Sequence, residues 1–97
     1  METIIKKLQN TLDRPIEHVV CNDGFMVSIQ AGKHYYCKPK DNSGPWTHFE
    51  LGFPSHLDDL ISHYAEEKNT KNTVFPYVPK ALVELLLDKH GGIKEDV

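Results

Sequence analysis

Apolar residues at the start of the chain recur at helical spacing. Ile4, Ile5, Leu8 and Leu12 fall on one side, while Lys6, Lys7, Gln9 and Asn10 take the other. That pattern predicts a helix over residues 2–12. Pro15 ends it, because the residue before a proline is pushed towards extended backbone. The period then changes. Residues 16–21 (IEHVVC) and 25–30 (FMVSIQ) read as strands around Asn22-Asp23-Gly24. A type I turn with Gly24 left-handed suits those three residues and pairs Cys21 with Phe25, Val19 with Val27 and Glu17 with Ile29. Phe25, Val27 and Ile29 then share one face with Val19 and Cys21.

A second turn at Ala31-Gly32-Lys33 predicts a third strand over residues 34–38. It continues the apolar face through Tyr35 and Cys37 and sends His34, Tyr36 and Lys38 to the other face; a two-residue loop would swap the faces. After a polar turn at residues 39–45, residues 46–53 (WTHFELGF) alternate as a fourth strand. Phe49, Leu51 and Phe53 point inward, and Trp46, His48 and Glu50 outward. Ser55 and Asp58 resemble a capping box, which predicts a second helix with Leu57, Leu60, Ile61 and Tyr64 as its stripe. Residues 73–78 (TVFPYV) form a short strand that Pro76 confines to a sheet edge. Pro79 suits the first turn of a third helix. That helix is expected to bury Leu82, Leu85 and Leu86 against Val27, Phe49 and Leu51, with Gly91 as its C-cap. The predicted fold is α+β, in the order αββββαβα: a four-stranded antiparallel meander plus a short edge strand, with three helices.

Ninety-seven residues with no linker-like tract suit one domain over 1–97. Nine aromatic side chains, four Phe, four Tyr and one Trp, are too many for a chain without a core. No apolar run is long enough to span a membrane, and METIIKKLQN has no signal-peptide core, so a cytoplasmic protein is expected. Two cysteines are too few for a disulfide scaffold and are expected as buried free thiols. A net charge of −3 argues against nucleic acid and, with an acidic surface, for a basic partner.

The histidines raise a metal hypothesis. His34, His48 and Glu50 would share the outer sheet face in this register, a spacing that any outward strand residues have. No His-Glu-x-x-His run, Cys-x-x-Cys pair, nucleophile elbow or phosphate-cradling loop is present. No cofactor and no enzymatic activity are therefore expected. The outer face is the more informative feature. It collects Tyr36, Trp46, His48, His34, Glu50 and Lys38, the amphipathic mixture that contact surfaces use. Trp46 is the expected anchor, unless a helix covers that face and makes it core.

The segments GPWTHFELGFPS (residues 44–55), YVPKALVELLLDKHGG (residues 77–92) and HYYCKPK (residues 34–40) resemble small uncharacterised proteins of bacteriophages and other mobile elements. No catalytic motif travels with the resemblance. It implies a small accessory protein that binds a host or phage component. The leading expectation is thus a non-enzymatic binding protein that holds a protein partner on the aromatic sheet face. The alternatives are a small-ligand-binding homodimer, its pocket built from Tyr36, Trp46 and His48 at the subunit interface, and a metal-dependent enzyme using His34, His48 and Glu50.

Overall fold

The computed structural model describes residues 1–11 and 15–94. Its elements are helix α1 (Glu2–Asn10), strands β1 (Val19–Val20), β2 (Met26–Gln30), β3 (His48–Gly52) and β4 (Val74–Pro79), and helix α2 (Lys80–Lys89). A one-turn 3-10 segment, Ser62–Tyr64, lies between β3 and β4. The four strands form one antiparallel sheet in the order β1-β2-β3-β4. The fold is α+β, as the periodicities predict, with two α-helices among the described residues where three are expected.

The first hairpin follows the predicted register. Val19 pairs with Val27, and the Cys21 N–H donates to the Phe25 carbonyl at 2.8 Å. Gly24 has φ +95°, a left-handed conformation that residues with a side chain rarely adopt. The Asp23 carboxylate accepts the Phe25 N–H at 2.9 Å and completes the turn. The strand before the turn is shorter than predicted. The Gln30 side chain accepts the Ile16 N–H and donates to the Ile16 carbonyl, so an amide takes the place of the Glu17–Ile29 ladder pair. Leu12 lies outside the described residues.

The predicted third strand does not form. Residues 32–37 instead make a turn and a strap across the outer sheet face. The Tyr35 N–H donates to the Gly32 carbonyl, and only Lys38 bridges to His48. Cys37 is held inside this turn, its single S–H within reach of the Gly32 and Pro39 carbonyls at 3.2 and 3.4 Å. The fourth strand of the sheet is therefore the proline-containing segment, which sits at the predicted edge.

The second predicted helix is also absent. Ser55 acts as a strand continuation: its hydroxyl oxygen accepts the Met26 N–H, and its own N–H donates to the Met26 carbonyl. Asp58 is drawn into a tertiary cluster described below. Of the proposed stripe only Ile61 is fully buried, and Leu57 is exposed.

The core contains Phe25, Val27, Ile29, Phe49, Leu51, Phe75, Val78 and Ile61, closed by Val83, Leu86 and Leu87 of α2 and joined by Ile4 and Leu8 of α1. Leu85, expected to face the sheet, is 53 % exposed. In α2 five apolar side chains compete for one contact face, and the 100° step leaves Leu85 on the solvent side of Leu86. Both cysteines are free and buried. None of the described helices is long and apolar enough to cross a membrane.

Candidate interaction surface

Trp46 is not on this surface. It is 2 % exposed, packs edge-on to Phe49 at 6.3 Å between ring centroids, and donates its indole N–H to the Asp41 carbonyl at 3.0 Å. The reason is an irregularity where the strand begins. The N–H groups of both Thr47 and His48 converge on the Lys38 carbonyl, at 2.7 and 3.4 Å. Two residues thus stand against one, which interrupts the alternation and turns Trp46 inward. The turn before it fits closely around the indole. A Cβ on Gly44, which has φ +68°, would come within 3.1 Å of the ring. Asp41 fixes that turn by accepting the Ser43 and Gly44 N–H groups, which hold its carboxyl below the usual carboxylate range. The Gln9 side chain of α1 donates to the Ser43 carbonyl at 2.6 Å, so the helix braces the same loop.

The structure does bring together Tyr36, Lys38, His48 and Glu50. Glu50 points away from Phe49 and Leu51 and accepts the Tyr36 N–H at 3.0 Å. Lys38 bridges to His48, whose Nδ1 lies 2.8 Å from the Thr47 hydroxyl. His34 is exposed in the preceding turn. Among the described residues no group of three His, Cys, Asp or Glu side chains could hold a metal ion, so His34, His48 and Glu50 do not form the suggested set.

Tyr77 completes the surface, a position that the pattern of residues 73–78 does not single out. Between β3 and β4, Phe49 pairs with Val78 but Leu51 pairs with Phe75. Pro76 and Tyr77 therefore stand together against Glu50. Pro76 has no N–H for the ladder, so a bulge there costs no backbone bond on its account. Tyr77 adopts φ +56°, unusual for a bulky residue. Its N–H is turned out of the ladder and donates to the Tyr36 carbonyl at 3.1 Å. The two rings lie 5.9 Å apart, tilted by 50°, and are 44 % and 37 % exposed. The Lys38 ammonium sits 5.6 Å from the Tyr77 ring centre and the Lys40 ammonium 5.5 Å from that of Tyr36, both within cation–π range. Proline inside a strand pattern was the available signal: it marked an edge, and an aromatic beside it marked what the bulge would re-aim.

A second polar cluster lies at the far end of α2. His90 is buried, with Nδ1 2.6 Å from an Asp23 carboxylate oxygen and Nε2 2.8 Å from one of Asp58. Burial by itself would lower the imidazole pKa, but the two carboxylate hydrogen bonds and their charge outweigh it and raise it. The Asp58 carboxyl is lowered: its burial is overcome by hydrogen bonds from the Leu60 N–H, His90 and Lys89. For Asp23, the Phe25 N–H and then His90 lower it. With a carboxylate on each ring nitrogen, neither is open for proton transfer to a substrate. The cluster is a clasp joining α2, the first hairpin and the chain after β3.

A cavity of about 930 Å³ lies elsewhere, between α1 and the β1 edge, and includes Ile4, Ile16 and Val19 in its lining. Its lining includes none of Tyr36, Trp46 and His48, and Trp46 is buried in the core. Comparison with protein-family models, curated proteins and solved structures finds no match for this chain.

Proposed function

We propose that this chain is a small non-enzymatic binding protein, an accessory protein of the kind that bacteriophages encode, which holds a protein partner on the Tyr36–Tyr77 surface. The observation that carries the reading is the pair of half-exposed tyrosines set by a strained bulge. A bulky side chain at φ +56° costs about 1–3 kcal/mol and persists only where surrounding structure enforces it. Such strain concentrates at ligand-contacting positions, and bulges commonly re-aim a side chain there. Tyrosine is enriched among interface anchors because it offers a large rigid area with a polar tip. The reading keeps the sheet face inferred from the sequence and replaces Trp46 by Tyr77 as its anchor.

The test is Tyr77→Gly. Glycine relieves the left-handed backbone, so the variant is expected to melt no lower than the parent. A partner would be trapped through a photo-crosslinking residue at position 36 and its affinity then measured by calorimetry. The expected result is a loss of binding by about 2 kcal/mol or more. Equal affinity in the folded variant would remove the tyrosine pair from the function.

A further inference from the structure

We infer that the partner element received by Tyr36 and Tyr77 is an acidic peptide segment; this rests on the protein-binding reading and specifies its chemistry. The chain carries a net charge of −3, which taken alone points to a basic partner. The local arrangement is opposite. Lys38 and Lys40 bring their ammonium groups to the two exposed rings, one to each. The nearby carboxylates are tied to backbone donors: Glu50 accepts the Tyr36 N–H, and Asp41 accepts the Ser43 and Gly44 N–H groups. The charges laid against the ring faces themselves are the two ammonium groups.

A ring face beneath an ammonium group suits a ligand with a carboxylate next to an aliphatic or flat portion. The carboxylate meets the lysine while the neighbouring carbons lie on the ring. Alternating acidic and small residues in an extended peptide supply that chemistry at two points. Nucleic acid fits less well. It presents a phosphate at every nucleotide and needs a basic stripe, whereas here only two lysines meet the rings on a protein of net charge −3.

The experiment uses the full chain labelled with nitrogen-15. A short peptide of alternating Glu and Ala is titrated in, followed by a Lys/Ala peptide and an oligothymidylate of matched charge. The expected result is a set of amide shifts confined to residues 34–40, 48–50 and 76–78 with the Glu/Ala peptide alone. They should weaken about ten-fold when salt is raised from about 0.05 to about 0.5 M. Lys38→Glu with Lys40→Glu should abolish them, and the double arginine variant should keep them. Absence of shifts, shifts elsewhere, or a stronger response to oligothymidylate would overturn the inference. If Tyr77→Gly abolishes capture of the trapped partner while the double charge reversal leaves it intact, the binding reading stands and the acidic partner falls.

Discussion

The Nε2 of His90 lies 2.8 Å from a carboxylate oxygen of Asp58, with both side chains withdrawn from solvent. Asp58 comes from the chain after β3, and His90 caps the end of α2. Asp23, on the first turn, takes the other ring nitrogen, while Phe25 stacks on the imidazole at 3.9 Å and His56 meets it edge-on at 5.7 Å. Lys89 adds a second cation to Asp58 at 3.1 Å. Three segments distant in sequence are thus held by one imidazole ring.

This clasp makes stability depend on pH in both directions. The His90 pKa is raised in the folded protein, so its contribution is full below the unfolded value of about 6.5 and is lost as pH rises through the folded pKa. Asp23 and Asp58 are lowered, so theirs is full above about 4 and lost as pH falls through the folded values. Urea midpoints measured across pH should therefore peak between about 4 and 6.5. The His90→Gln protein should lose the decline on the alkaline side, and an unchanged profile would exclude His90 as its source.

Asp58→Ala removes one member of a buried pair. It leaves the Nε2 of His90 and the Leu60 N–H without their acceptor. A loss of about 3–5 kcal/mol is expected by denaturant unfolding. A loss below about 1 kcal/mol would mean that water replaces the carboxylate freely.

Trp46→Ala should destabilise by about 3–5 kcal/mol, because it empties a core position and orphans the Asp41 carbonyl. A variant that melts like the parent would return Trp46 to the surface and contradict the irregular strand start at Thr47.

The two sides of α2 should separate cleanly. Leu86→Ala is expected to cost about 2–5 kcal/mol, and Leu85→Ala, at an exposed position, no more than about 0.5 kcal/mol. Comparable losses at the two positions would require a different rotation of the helix.

Cys21 and Cys37 should react as two thiols in denaturant and slowly in the native state. Burial raises both pKa values, with the Asp23 charge adding to the effect at Cys21. Fewer than two titratable thiols in denaturant would show a disulfide.

Local chemistry by itself determined much of this protein. Asn22-Asp23-Gly24 sets the first hairpin and its register, because glycine takes the left-handed turn position and aspartate accepts the next amide. Pro76 puts β4 at the edge, and the period of residues 2–10 gives α1. Each signal acts through neighbours in sequence. The tertiary structure decided the rest. Ser55 and Asp58 have the spacing of a helix cap, yet β2 claims the first and His90 the second, partners distant in sequence that the local spacing does not reveal. Residues 34–38 alternate like a strand, but Glu50 and Tyr77 take the hydrogen bonds of Tyr36 and make it a strap. Alternation also placed Trp46 outside and left Tyr77 unnoticed. A single extra residue at each of two irregular pairings reverses which way a side chain points, and strict period two does not reveal where those residues fall.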